Sequence, residues 1–181
     1  MEKNSALKIA VIGAESTGKT TLCEALAAHY KAALVPEYAR MFFNTANIHQ
    51  YALSDLEHIA QQQVMLETQA TNSSGGLLFC DTTVMTIKIW AELEFQTCPD
   101  SILSLLKQTK YDFYLITEND VPWEKDDQRL NKYKRQDIFD RHFDELIVAD
   151  VPYAIVNGVG PQRTENAIRH INALIQYKVG T

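Results

Sequence analysis

Along the 181 residues, short runs of β-branched and other apolar residues alternate with longer stretches in which apolar positions recur every three or four residues. Leu7-Lys8-Ile9-Ala10-Val11-Ile12 opens the pattern; it is too short for a helix, ends at Gly13 and reads as a buried strand. Leu22, Leu26 and Ala27 then fall at helical spacing and predict a helix over 19–30, followed by a short strand over 32–35 that Pro36 stops. Ser54 stands three residues before Glu57, the spacing of a capping box, and predicts the start of a long Gln-rich helix through residue 70. Ser73-Ser74-Gly75-Gly76 breaks the chain. The same signals predict a strand over 77–81, helices over 84–95 and 99–109, and a strand over 113–117. A helix over 135–149, a strand over 153–156 and a last helix through residue 176 complete the series. No element is assigned between Pro36 and Ser54.

Strands alternating with helices imply an α/β fold, a parallel five-stranded sheet with helices on both faces, in a single domain over residues 1–181. The segment 118–134 interrupts the alternation. It carries Asp120, Pro122, Trp123, Asp126, Asp127, Arg129 and Lys132, and reads as a working loop, a lid, beyond the fourth strand.

Composition narrows the function. Hydrophobic residues make up 46% and charged residues 22%, so the chain can bury a core. Lys plus Arg number 17 against 23 Asp plus Glu, a net charge of -6, and no segment gathers the basic residues, which argues against nucleic acid as the main partner. Cys23, Cys80 and Cys98 are far apart and odd in number, the mark of reduced thiols rather than a disulfide framework. The polar start and the short apolar run before Gly13 match neither a signal peptide nor a membrane span, and the expected location is the cytoplasm. Oligomeric state has no sequence signal here.

Gly13-Ala14-Glu15-Ser16-Thr17-Gly18-Lys19-Thr20 fits G-x-x-x-x-G-K-[ST] in the context the motif requires, after a strand and opening a helix. Glycines there let the backbone turn its N–H groups toward phosphates, and the helix N-terminus adds a positive dipole end. ATP is therefore the expected nucleotide, with Lys19 on the β/γ-phosphates. Mg²⁺ is the expected ion, on the Thr20 hydroxyl and on Asp81 at the end of the third strand. The segments after the third and fourth strands, Asp81-Thr82-Thr83-Val84 and Thr117-Glu118-Asn119-Asp120, match neither the D-x-x-G nor the N-K-x-D signature of a GTPase. A ring ATPase or motor normally carries further modules, so a small kinase fits the length best.

Such a kinase needs a carboxylate to orient the nucleophile and cations to cover the moving phosphoryl group. Glu37, after the second strand in Val35-Pro36-Glu37-Tyr38-Ala39-Arg40, and Asp81 both qualify for the first task, and the sequence leaves the choice between them open. Arg129 in the polar loop is the candidate lid cation, with Arg135 and Arg141 behind it; Arg40 can pair with Glu37 or reach substrate. Asn157 and Arg163 lie on the turn after the last strand, where such kinases commonly seat adenine. Two other outcomes keep the same phosphate loop: a kinase for another nucleoside or small metabolite, and an ATP-gated switch protein without transfer.

Together, Gly13 to Thr21, Pro36-Glu37-Tyr38-Ala39-Arg40, Asp81-Thr82 with Thr86 and Trp90, and Pro122-Trp123 with Asp126 and Arg129 resemble the ribosylnicotinamide kinase domain of NadR-type NAD-biosynthesis proteins. The resemblance runs over nearly the whole chain. It implies transfer of the ATP γ-phosphoryl group to the 5′-hydroxyl of nicotinamide riboside, giving nicotinamide mononucleotide. By position it implies ATP and magnesium along Gly13, Ala14, Glu15, Ser16, Thr17, Gly18, Lys19, Thr20 and Thr21, a substrate pocket near Glu37, Tyr38, Arg40, Asp81 and Trp90, and a lid bearing Trp123 and Arg129. The pyridinium of such a substrate is a fixed cation, which carboxylates and the faces of Trp123, Trp90, Tyr38 and Phe42 suit. Asp127 stands where the family commonly has Gly in the lid. No histidine of the sequence sits in an H-x-G-H signature, so neither adenylyltransferase nor repressor activity is expected.

Overall fold

β1 (Leu7–Gly13) is the centre of the molecule: Ile9, Ala10, Val11 and Ile12 are wholly buried, as a strand covered on both faces requires. The structure is a computed structural model and describes residues 6–46, 50–73, 76–122 and 135–180. β1 leads into α1 (Lys19–Tyr30), β2 (Ala33–Val35), α2 (Tyr38–Ala46) and α3 (Leu53–Ser73). Then come β3 (Leu77–Asp81), α4 (Val84–Phe95), α5 (Asp100–Gln108), β4 (Phe113–Thr117), α6 (Arg135–Ala149), β5 (Tyr153–Val156) and α7 (Pro161–Val179).

The five strands lie in the order β2-β3-β1-β4-β5 and all pair in parallel. Alternation along the strands divides the core. Ile9, Val11, Phe79 and Leu115 face one side, where Leu22 and Leu26 of α1 and Ala167 and Ile171 of α7 meet them. Ala10, Ile12, Leu78, Cys80 and Ile116 face the other, under Met85 and Ile89 of α4 and Leu146 of α6. A third cluster, away from the sheet, joins Ala39 of α2, Leu56 and Ile59 of α3, Ile87 of α4 and Ile102 of α5. Among the described residues no helix is long and apolar enough to cross a membrane.

The expected α/β sheet is present, with two local differences. α2 is a helix that the sequence pattern leaves unassigned. It is short, carries two adjacent aromatics, Phe42 and Phe43, and is held by the third cluster and by a hydrogen bond from the Tyr38 N–H to the Gln63 side chain at 2.9 Å, neither of them a local signal. α3 also starts earlier than the Ser54–Glu57 spacing suggests. The Asp55 carboxylate accepts the Ala52 N–H at 2.7 Å, so the capping contact lies two residues upstream and is one-sided, while Glu57 accepts a 2.5 Å bond from the Ser101 hydroxyl of α5.

The candidate active site at the carboxyl ends of the strands

With this strand order, the residues that follow β2, β3, β1 and β4 line up along one rim of the sheet. Gly13 ends β1 at φ 139°, in register with Thr117 of β4. A Cβ there would lie 2.9 Å from the Thr117 carbonyl and closer still to its hydroxyl, so only glycine lets β4 come this near. Thr17, fully buried, donates its hydroxyl to the Ala14 carbonyl at 2.8 Å and stands 2.6 Å from the Thr117 hydroxyl. Lys19 Nζ donates to the Ala14 carbonyl at 2.8 Å. The phosphate loop is thus tied into a closed curve by its own carbonyl and by β4.

α1 begins with Gly18 in the left-handed region, without a side-chain cap and without an acidic residue in its first turn. Neither the cap residue nor an acidic side chain of the first turn occupies its leading N–H groups, which suits an anion at that end.

Asp81 ends β3 with 1% exposure, and the Thr20 hydroxyl donates to its Oδ2 at 2.6 Å. Its Oδ1 is buried without a hydrogen-bond partner among the described residues. A carboxylate oxygen left over beside a threonine hydroxyl fits a hard divalent cation, which prefers oxygen ligands and keeps several of its waters. Burial raises the Asp81 carboxyl above the usual carboxylate range, and the negative charge of Glu37 adds to the rise; the Thr20 bond, Lys19 and Arg40 oppose it. Thr82, next in the chain, sits at φ 74° and gives its N–H to the Val11 carbonyl at 3.0 Å. A β-branched residue in that region is strained, a cost characteristic of functional sites.

Glu37, between β2 and α2, accepts a hydrogen bond from Arg40 Nε at 2.9 Å and keeps 18% side-chain exposure. Tyr38 packs edge-on to His58. Beyond them stands an aromatic wall: Phe43, Tyr51 and Trp90 lie with ring centroids 5.4 to 5.8 Å apart, and the Trp90 indole donates to the Tyr51 hydroxyl at 2.7 Å. Burial pushes the Tyr51 phenol up to about 12, with Glu94 and, from the phosphate loop, Glu15 adding to it against the Trp90 bond. Phe43, Tyr51 and Trp90 are all partly buried and pack against the third core cluster.

Arg163, 4% exposed, ties together the other end of the site. It donates to the Thr17 carbonyl, to Asp120, to the Gly158 carbonyl at 2.7 Å and to the Glu118 carbonyl at 3.2 Å. Asp120 in turn accepts the Gly158 N–H at 2.5 Å, and the Asn157 side chain accepts from Asn166 at 2.8 Å. Glu118, Asn119, Asp120, Gln136 and Phe139 line a cavity of about 240 Å³ beside this turn. Arg135 reaches the Ser16 carbonyl at 3.4 Å and the Val121 carbonyl at 3.0 Å. Arg141 instead pairs with Asp137 of its own helix at 3.4 Å, away from the loop.

The rim therefore brings together Lys19, Thr20, Glu37, Asp81 and Arg135, with Arg40 and Tyr38 adjoining. Trp123 and Arg129, as well as Asp126 and Asp127, lie outside the described residues. Tyr51, Gln63 and Thr117 belong to the site or its support without having been singled out in the sequence. Only Thr117 carried a usable signal, a polar residue closing an apolar strand.

The AAA_28 family model, described as an AAA domain, matches residues 8–163. The chain belongs to this family. Two curated relatives, the trifunctional NAD biosynthesis/regulator protein NadR of Escherichia coli strain K12 and that of Salmonella typhimurium strain LT2, are 27% identical over 124 residues, which is 67% of this chain and 30% of each relative. Among solved structures, NadR in complex with NAD and AMP-PNP superposes over 93% of this chain and 49% of its own, with a TM-score of 0.80 at 20% identity. NadR in complex with NR covers 93% and 50%, at 0.79 and 20%. Thymidylate kinase from Ehrlichia chaffeensis covers 94% and 99%, at 0.65 and 15%. The chain thus spans under a third of the curated relatives and half of the NadR structures, and family member and neighbours share a phosphate-loop kinase fold.

Proposed function

We propose that this protein is an ATP-dependent nucleoside kinase that phosphorylates the 5′-hydroxyl of nicotinamide riboside. The observation that carries the reading is the aromatic wall of Phe43, Tyr51 and Trp90 beside a rim that holds the Glu15, Glu37 and Asp81 carboxylates next to a phosphate loop. Carboxylates and π faces are what a pyridinium nucleoside calls for, and a neutral base gains less from them. The likeness to NadR in sequence and in fold supports the same substrate class.

In this reading the loop amides and Lys19 bind the β- and γ-phosphates. Thr20 and Asp81 hold Mg²⁺, which supplies charge neutralisation on the phosphates when bound. Asp81 is buried and engaged by Thr20, whereas Glu37 is partly exposed, so Glu37 orients the attacking hydroxyl. The hydroxyl oxygen forms a bond to the γ-phosphorus, the bond from that phosphorus to the β–γ bridging oxygen breaks, and ADP leaves. The hydroxyl proton passes to the Glu37 carboxylate. Arg135, already on the phosphate loop, stabilises charge on the transferring group, a role the lid residue Arg129 is proposed to share.

The test is ATP consumption with Mg²⁺ against nicotinamide riboside, common nucleosides, deoxynucleosides and no acceptor, with product masses recorded. Nicotinamide mononucleotide formed at the highest kcat/KM is the expected result. Glu37→Gln should lower kcat by about a hundredfold, the scale of a general base in such transfers, while ATP binding persists. ATP binding with no acceptor-stimulated turnover would sink the kinase reading and favour a nucleotide-gated switch; a deoxynucleoside as best acceptor would replace the substrate.

A further inference from the structure

A chain of buried polar groups runs from the far end of the sheet to the residue after Glu37. Glu67 of α3, 0% exposed, pairs with Lys8 of β1 at 2.5 Å and accepts the Tyr111 hydroxyl at 2.8 and 2.9 Å. Lys8 also lies over the Tyr111 ring, 4.3 Å from its centroid. One turn earlier on α3, Gln63, 1% exposed, donates its amide to Glu67 at 3.3 Å and accepts the Tyr38 N–H at 2.9 Å. Nothing in the transfer scheme uses these groups, yet a buried polar network this complete has a consequence wherever it ends. Here it ends at the start of α2.

The orientation of Gln63 is settled by its neighbour. A carboxylate only accepts, so the Gln63 NH₂ must face Glu67 and its carbonyl must face Tyr38. The Tyr38 N–H is one of the leading donors of α2, which the helix itself cannot satisfy. Pro36 stiffens the chain just before, so the backbone from Val35 to Tyr38 is fixed at both ends, by β2 and by Gln63.

We infer that Gln63 is a positioning residue: locked by Glu67, it caps α2 from another helix and thereby holds the Glu37 carboxylate at the acceptor side of the site. The inference rests on the proposed role of Glu37 and adds the element that aims it. ATP, bound by residues after β1, does not depend on this cap; the acceptor does.

Two variants and one exchange measurement test it. Gln63→Met keeps the length and apolar volume but removes the acceptor, orphaning the Tyr38 N–H; acceptor kcat/KM should fall about tenfold, with the KM for ATP within about twofold of its original value. Gln63→Glu is the conservative rescue. As a carboxylate it still accepts the Tyr38 N–H but loses the donor to Glu67 and repels it, so the lock is undone and acceptor kcat/KM should fall at pH 8, by less than in the Met variant. Protonated, it presents a carbonyl to Tyr38 and a hydroxyl to Glu67, so its activity relative to the unsubstituted protein should recover as the pH falls. The other groups facing the pair are Lys8 from β1, Cys80 from β3, and Tyr111 and Tyr114 at β4; burial raises the two phenols and the thiol, leaving them neutral across that range. Equal losses for ATP and acceptor, or a Gln63→Glu profile parallel to the original, overturn the inference. Should the variants not fold, amide exchange on the unsubstituted protein decides: a Tyr38 N–H as fast as a free amide overturns it, and a protected one supports it. A protein that phosphorylates no acceptor but protects Tyr38 refutes the kinase reading alone; transfer that Gln63→Met leaves intact refutes the positioning role alone.

Discussion

Gly13 and Gly18 bracket the phosphate loop, and the sequence motif treats them alike, but the forces on them differ. Gly13 has φ 139° and faces the Thr117 backbone at a distance no Cβ tolerates. Gly18 has φ 75°, and the nearest atom to an added Cβ is the Arg163 guanidinium at 4.0 Å. Alanine at Gly18 therefore meets only the intrinsic penalty of the left-handed region, about 1–2 kcal/mol. Alanine at Gly13 adds a clash with β4 that the central strand pair cannot relieve, for a total of about 4 kcal/mol. Urea unfolding of the two variants without nucleotide checks this; equal losses would mean that the β1–β4 approach yields more easily than the packing implies.

Between elements, the least expected link joins α4 to α6. His142 of α6 is fully buried, gives its Nδ1 proton to the Ile138 carbonyl at 2.8 Å and accepts the Thr86 hydroxyl of α4 on Nε2 at 2.9 Å. Burial drives its pKa down to about 4, the Ile138 bond opposes this, and the charge of Lys19 adds to the fall. Unfolded, the same imidazole titrates near 6.5. Between those values the unfolded chain holds a proton that the folded one does not, so stability is full above pH 6.5 and drains away as the pH falls toward 4, by roughly 3 kcal/mol in all. Urea unfolding at pH 7.5 and pH 4.5 should show most of that loss, and His142→Gln should flatten it. A pH dependence unchanged in the variant would assign the loss to other groups. Both helices were legible in the sequence, α4 from an apolar run that is buried on two faces and α6 from Ile138 and Leu146 on one; the Thr86–His142 pair was not, since a lone histidine on a helix says nothing about the helix it will meet. α2 was illegible for a related reason: its start is capped by Gln63, 25 residues away.

At the scale of the whole molecule, the strand order turns separate sequence signals into one site. The phosphate loop could be read directly, because its chemistry is local and its spacing is fixed by the strand and helix around it. Asp81 and Glu37 could be nominated from their places after strands, but their nearness to each other depends on β3 lying between β1 and β2. Tyr51 belongs to no periodic segment and entered the site only through Trp90 and Phe43. That same convergence makes the site costly before anything binds: Asp81 is buried, raised by its surroundings, and faces the charge of Glu37. Asp81→Asn removes the buried charge while keeping an oxygen for Thr20, so the melting temperature without ligand should rise. A nonhydrolysable ATP analogue at a hundred times its Kd stabilises by about 2.7 kcal/mol, worth roughly 5–10 °C in a chain of this size. With the original protein, Mg²⁺ should enlarge the nucleotide shift; in Asp81→Asn the shift without Mg²⁺ should persist and the Mg²⁺ increment should vanish. An increment of undiminished size would show that the cation is held by other groups, and would return Asp81 to the choice of carboxylates able to orient the hydroxyl.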